Sequence, residues 1–346
     1  MNANAIATQI QPADFPRFGP PEEQLRFLLR YAILAPSSHN TQPWLWQIEE
    51  DEVTLRADER RLMPALDSQG REMIISCGAA LQHLCLAIRA FGYAALVQTF
   101  PDTDQPNLLA RVRLASYRPP TADDSLLFRF ITERHTHRGE FEERPLPTEL
   151  LDILQSEAGQ EGASLYFAQT PEDRGAITKL IENSDLIQNS DAAVRRDVAD
   201  WIAPQGARKD GIPASALGIS DLMSHLAPLS HRLFNRGELI AEADAILADN
   251  STVLVVLCTP EGGSQAWLAA GQALGRVLLR ARAEGVWASF FNQPVEVDEM
   301  WVRLYKIAGS HHFPQLVFRL GYAQPVPGTP RRPVEEVTNI HDDPLA

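Results

Sequence analysis

Residues 78–95 read GAALQHLCLAIRAFGYAA, and residues 271–288 read GQALGRVLLRARAEGVWA. In that register Gly78 pairs with Gly271, Ala80 with Ala273, Leu81 with Leu274 and Leu86 with Leu279, and then Arg89 with Arg282, Ala90 with Ala283, Gly92 with Gly285 and Ala95 with Ala288. Eight identities in 18 positions compare with roughly one or two from average composition. Any two Ala/Leu-rich helices agree a little, but a glycine inside a helix costs about 1 kcal/mol relative to alanine and needs a reason. Close packing of two helices would supply one. The chain therefore reads as an internal duplication, one continuous molecule in the shape of a dimer.

Working outward, the helical stripe of 71–92 carries Ile74, Gly78, Leu81, Cys85 and Ile88, and Gly92 stands where a helix would end. Before it, 22–35 has Leu25, Leu28, Leu29, Ala32 and Ile33 at helical spacing, ended by Pro36, and WLWQI and VTLRA flank an acidic turn as a hairpin. Strands follow near 94–100 and 110–115, then a helix around 123–133. Beyond, the pattern predicts helix 147–158, strand 164–169, helices across 171–200, strand 252–259, helix 264–284, strand 286–291, helix 295–307 and strand 314–320. Residues 201–240, rich in Pro, Gly, Ser and His, show little period and read as an irregular stretch of the kind used for lids. The fold class is α+β, with an N-terminal half over 1–122 and a C-terminal half over 123–346.

The chain has 346 residues, 45% of them hydrophobic and 22% charged, which suits a folded interior and excludes a disordered chain. Its 31 Lys+Arg against 45 Asp+Glu leave a net charge of −14, which disfavours nucleic acid and anionic membranes and favours a small-molecule ligand. Cys77, Cys85 and Cys258 lie in apolar stretches without a CxxC pair and read as buried thiols in a reducing compartment. The N-terminal MNANAIATQIQPADFPRFGPP has neither the basic cluster nor the apolar run of a leader, so a cytoplasmic location is expected.

Three segments carry the chemistry. Ala35 to Trp44, APSSHNTQPW, packs hydrogen-bonding side chains between two prolines beside an aromatic residue able to cover a flat ligand; a capped turn would also fit. Glu133 to Phe141, ERHTHRGEF, sets Arg134, His135, Thr136, His137 and Arg138 together, local positive charge in an acidic chain. Arginine offers planar donors matched to phosphate oxygens, although a solvated helix end pairing with nearby Glu would look alike. His135 and His137 could ligate a metal, but no partner pair at zinc spacing is present. The third segment, Pro330-Arg331-Arg332-Pro333, puts paired arginines on a stiff arm, in a tail that alone would read as solvated. GxSxG, GxxxxGK[ST], GxGxxG after a strand and HExxH are all absent.

APSSHNTQPW resembles the APSxxNxQPW signature of the nitroreductase family of flavin mononucleotide (FMN) proteins. RHTHRGEF resembles the R-x-[ST]-x-[RK]-x-F segment that opens such domains, and PRRPVEEV their basic C-terminal element. GREMIISCGAAL, RKDGIP and the fused halves are similar to the Acg-like branch, in which two nitroreductase halves share one chain. The resemblance covers most of residues 22–337 and implies a nitroreductase-like pseudo-dimer.

In the family each flavin lies between subunits, with the arginine segments of one facing the APSxxN loop of the other. Here the first half keeps the loop but not the arginines, and the second half the reverse. The resemblance thus implies one FMN per chain and no need of a second copy, so that the monomer suffices. It implies that Arg134, Thr136, Arg138, Arg332 and Arg331 hold the phosphate and ribityl chain with His135 close by. Pro36, Ser37, Ser38 and Asn40 would contact the ring and ribityl hydroxyls, and Gln42 and Trp44 would support the loop. Ser289 and Phe290, with Phe291, Asn292 and Gln293, fall where the family places donors near the ring, although many active members have an acidic residue and a glycine there. The implied activity is an FMN-dependent oxidoreductase passing electrons from NADH or NADPH to a nitroaromatic or quinone-like acceptor. The alternative it leaves open is an FMN-sequestering protein with 201–240 as a cover.

Overall fold

The computed structural model describes residues 10–204, 206–217, 219 and 221–338. Residues 1–9, part of the stretch read for a leader, lie outside them. Helix α1 (Pro21–Ala32) begins on a proline, carries Glu22 and Glu23 in its first turn, where the helix dipole favours acids, and buries Leu25, Leu28 and Leu29. The hairpin β1 (Trp44–Glu49) and β2 (Glu52–Ala57) follows, then α2 (Arg71–Ala90), β3 (Tyr93–Thr99) and β4 (Leu108–Tyr117). Gly92, at φ 92°, takes the left-handed turn beyond α2 that a side chain would resist. A reciprocal Thr121–Asp124 capping box starts α3 (Ala122–Arg129).

The second half contains α4 (Thr148–Gly159), β5 (Ser164–Ala168), an inserted layer, β8 (Val253–Thr259), α10 (Ser264–Ala283), β9 (Trp287–Phe290) and β10 (Phe313–Gly321). Within the inserted layer are α5 (Pro171–Ser190), α6 (Ala192–Asp200), β6 (Ile202–Ala203), β7 (Ile212–Pro213), α7 (Asp221–Ser224), α8 (Ala227–Leu233) and α9 (Gly237–Asp249). The short helices α11 (Gln293–Glu296) and α12 (Asp298–Ile307) precede β10, and α13 (Val334–Val337) closes the tail.

The two four-stranded sheets run β1-β2-β4-β3 and β5-β8-β10-β9, every pairing antiparallel. Each half is thus strand, strand, 20-residue helix, strand, strand, joined in one spatial order. The halves meet along α2 and α10, and the glycines account for it. A Cβ on Gly271 would lie 2.0 Å from the Ile75 carbonyl oxygen and 2.8 Å from the Gly78 Cα. One on Gly78 would lie 2.2 Å from the Leu268 carbonyl oxygen. The backbones touch where the sequence register put its two glycines. Arg276 and Arg280 of α10 grip the buried Glu157 of α4 and reach Asp123 of α3, tying these helices to α10 with paired charges. Helix α2 is long and apolar enough to cross a bilayer, but 83% of that window is buried in the protein, where it serves as a core helix.

The halves differ in one place. A two-residue turn joins β1 to β2, whereas the whole layer from α5 to α9 separates β5 from β8. The stretch 201–240 expected to be irregular contains α7, α8, the parallel β6–β7 pair and the start of α9. Helix α9 escapes the periodicity rule because it buries Ala241 and Ala248 while Leu239 and Ile246 stay exposed.

Candidate functional site

The loop after α1 is held in an uncommon conformation. His39, Asn40 and Gln42 have φ of 47°, 56° and 51°, three of the six non-glycine residues with positive φ among those described. Such strain persists where surrounding contacts over-determine it, and they do. Ser37 Oγ accepts from the Gln42 amide at 3.0 Å, the Ser38 amide donates to Ser76 Oγ at 3.2 Å, and Asn40 Nδ2 donates to the Gly211 and Pro330 carbonyls at 2.8 and 3.1 Å. Gln42 is fully buried, donating to the Lys209 carbonyl at 2.9 Å and accepting from the Arg332 amide at 2.7 Å.

Behind this loop lie guanidinium groups without acids. Arg134 Nη2 donates to the Leu34 carbonyl at 2.8 Å, and Arg331 Nη2 to the Ala35 carbonyl at 3.2 Å. Among the described residues the Nε of each is buried without a partner, and the Arg138 guanidinium makes no hydrogen bond or ion pair, although its carbonyl accepts from Arg319. Burial draws all three below the usual arginine range, helped by repulsion from Arg331 at Arg134 and from Arg138 at Arg331. Arginine stays charged regardless. Clustered positive charge inside an acidic protein, offering free N–H donors, fits an anion with several oxygens.

Of these groups Arg138 lines a cavity of about 1280 Å³ between the halves and under the inserted layer. Of the residues expected at the site, Pro36, Ser37, Ser38, Thr136, Arg138, Phe291, Asn292 and Gln293 line it. Asn40, Gln42, Arg331 and Arg332 stand behind the wall, where their side chains tie the loop to the tail and to residues 209–211. His135 packs on Trp287 with ring centroids 4.7 Å apart, and burial followed by Arg134 pushes its imidazole down to about 4. His137 Nε2 donates to the Gln324 carbonyl, 3.1 Å away.

Sequence reasoning missed the acids. Glu72 of α2 and Glu296 of α11 face each other on the wall, and Gln293 Nε2 donates to Asp185 of α5 at 3.0 Å and to Asp244 of α9 at 2.9 Å. Burial and Asp244 raise Asp185 to about 8, and burial raises Asp244 to about 6. Nothing local marks these residues, because their partners lie on other elements. His39 is pushed down to about 4, chiefly by burial.

Fold and site together define a two-half α+β protein with a cavity at the seam that carries Arg138 on its wall. Its relatives carry the assignment further. The chain is 31% identical over 332 residues, 94% of each chain, to the Mycobacterium tuberculosis protein named "Putative NAD(P)H nitroreductase Rv3131". It is 29% identical over 330 residues, 91% of this chain and 95% of the other, to "Putative NAD(P)H nitroreductase acg" of the same organism. The chain belongs to the nitroreductase family, within its Acg-like branch. No protein-family model matches it. Among solved structures, the FMN-dependent nitroreductase NfnB from Mycobacterium smegmatis in complex with NADPH aligns over 62% of this chain and 96% of its own, at 14% identity and a TM-score of 0.41. Iodotyrosine deiodinase bound to FMN and 3-iodo-L-tyrosine aligns over 60% and 95%, at 16% identity and a TM-score of 0.38. At those scores the alignments add nothing to the sequence relationship.

Proposed function

We propose that the chain is an FMN-dependent oxidoreductase that takes electrons from NADH or NADPH and passes them to a nitroaromatic or quinone-like acceptor, with one FMN per chain and no second copy required. The observation that carries this reading is Arg138, an unpaired guanidinium among the described residues, on the cavity wall beside two more buried arginines. A phosphate there would meet the Arg138 N–H groups, which find no acceptor among the described residues, and would lie near the buried charges of Arg134 and Arg331. Family relatives bearing NAD(P)H nitroreductase names support the same chemistry.

In this reading Arg138 and Thr136 hold the phosphate end, and Arg134 and Arg331 add positive charge behind it while bracing the Leu34–Ala35 carbonyls. Pro36, Ser37 and Ser38 border the flat ring from the first half, and Phe291, Asn292 and Gln293 from the second. The bound flavin supplies two-electron transfer between donor and acceptor. The protein's own work is to orient, to exclude water and to place hydrogen-bond donors where charge develops.

A second reading rests on the inserted layer. Asn189, Val194, Val198, Ile202, Ile240 and Leu247 from that layer roof the cavity, and a cover that stayed shut would make the chain an FMN-sequestering protein with little reductase activity. The visible spectrum of the purified chain, with flavin counted per polypeptide, tests the FMN reading; a colourless protein that takes up no FMN would refute it. Oxidation of NADH or NADPH with a nitroaromatic acceptor separates enzyme from store: sustained turnover supports the first, and full occupancy without turnover the second.

A further inference from the structure

Glu72 and Glu296 meet side chain to side chain on the cavity wall, one from each half. Glu72 is 2% exposed, its Oε2 is buried and meets no N–H or hydroxyl donor among the described residues, and its side chain lies within hydrogen-bond reach of the Glu296 carboxyl. Arg71 Nη2 lies 3.3 Å from Glu72 Oε1, and Gln188 Nε2 donates to Glu296 Oε2 at 2.7 Å. Two carboxylates in contact cannot both ionise, so a hydrogen bond between them requires one proton. The other titratable groups facing the pair are Asp67, whose carboxyl caps the Glu72 and Met73 amides, and His39 on the loop. Burial and Glu72 hold Asp67 up at about 7.

The position of the pair matters as much as its proton. Ser76 Oγ donates to the Glu72 carbonyl at 2.7 Å and accepts from the Ser38 amide, so Glu72 stands one side chain behind the serine rim. Glu296 ends α11, the helical turn that begins at Gln293. The pair therefore lies where the loop of the first half and the 289–293 segment of the second converge. Those are the two segments assigned above to the flat ring.

We propose that Glu296, hydrogen-bonded to Glu72, is the proton donor of this cavity. The inference rests on the oxidoreductase reading and gives it a source of protons. Reduction of a quinone to a hydroquinone takes two electrons and two protons. NAD(P)H gives up a hydride, which carries both electrons and one proton, and leaves as NAD(P)+. The second proton leaves the Glu296 carboxyl, whose O–H bond breaks as an O–H bond forms on the acceptor. The pair, then doubly ionised and in repulsion, regains a proton from water.

The test uses the full-length chain loaded with FMN and reduced by dithionite, followed by infrared difference spectroscopy and by single-turnover oxidation with 1,4-benzoquinone across neutral pH. In the unaltered protein a protonated-carboxyl carbonyl band is expected that changes when the flavin changes redox state, and that is missing in E296Q. E296Q and E72Q should slow reoxidation about tenfold or more and lose the pH break seen in the parent, while E296D, which keeps a carboxyl, recovers part of the rate. The infrared measurement on the unaltered protein stands even if a variant fails to fold. Unchanged carboxyl bands on reduction, or an E296Q protein with full flavin and the parental pH profile, would overturn the proposal. A chain that binds no FMN would overturn the function reading as well, and the flavin count tells the two failures apart.

Discussion

Arg331 Nη1 donates to the Asn40 side-chain oxygen at 3.0 Å, joining residues 291 apart in the chain. Asn40 Nδ2 in turn donates to the Gly211 and Pro330 carbonyls, so one amide fastens the first-half loop to both the inserted layer and the tail. Asn40→Ala leaves those buried acceptors unmet, at about 1–3 kcal/mol. A lower Tm and faster proteolytic cutting near residues 206–211 are expected, and an unchanged Tm would count against the bracing role.

Arg138 offers the most direct test of the phosphate site. Arg138→Ala should weaken FMN binding by about one to two powers of ten, the scale of a lost hydrogen bond to a charged group, with the fold intact by circular dichroism. Arg138→Lys should recover only part, since an ammonium lacks the planar fork. Fluorescence titration with FMN checks both.

Gly271→Ala should be among the most damaging single-methyl additions in the molecule. The new Cβ would meet backbone atoms, the Ile75 carbonyl at 2.0 Å and the Gly78 Cα at 2.8 Å, none of which can rotate away. Overpacking commonly costs about 1–3 kcal/mol, and this site should reach the upper end or beyond. Gly159→Ala, where nothing lies within 4 Å, is the control and should leave the urea midpoint nearly unchanged.

The Asp185–Gln293–Asp244 bridge makes stability depend on pH. Both carboxyls titrate higher in the fold, at about 8 and about 6, than the value near 4 expected when unfolded. Between about pH 4 and 8 the folded chain therefore binds more protons than the unfolded one, and stability falls as pH rises through that window. Asp185→Asn should flatten the decline by the share of one proton, seen as a smaller drop in Tm between about pH 5 and 8. A slope identical to the parent would refute the assignment.

How much of this was legible beforehand follows from where each signal resides. Gly78 and Gly271 announced the seam because a helix-interior glycine is costly enough to be informative on its own. The loop 35–44 and the 134–138 cluster were visible because their groups are contiguous. Gln42 was expected to support the loop, but its partners, like those of Asn40, were not visible, since they are backbone groups of Gly211, Lys209, Pro330 and Arg332 that the fold brings in from afar. Glu72, Asp185, Asp244 and Glu296 were hidden for the same reason. Helix α9 was missed because two of its large aliphatics, Leu239 and Ile246, stay exposed while Ala241 and Ala248 are buried.

Two sheets of identical strand order within a single polypeptide have a consequence for how such a protein can change. In a homodimer every substitution appears twice, so improving one pocket by altering the opposite wall alters the second pocket too. Here each lobe answers for its own residues alone, and one can gain a roof running from Pro171 to Asp249 without imposing it on the other. Asymmetry of this kind is open only where both lobes are written separately into one sequence.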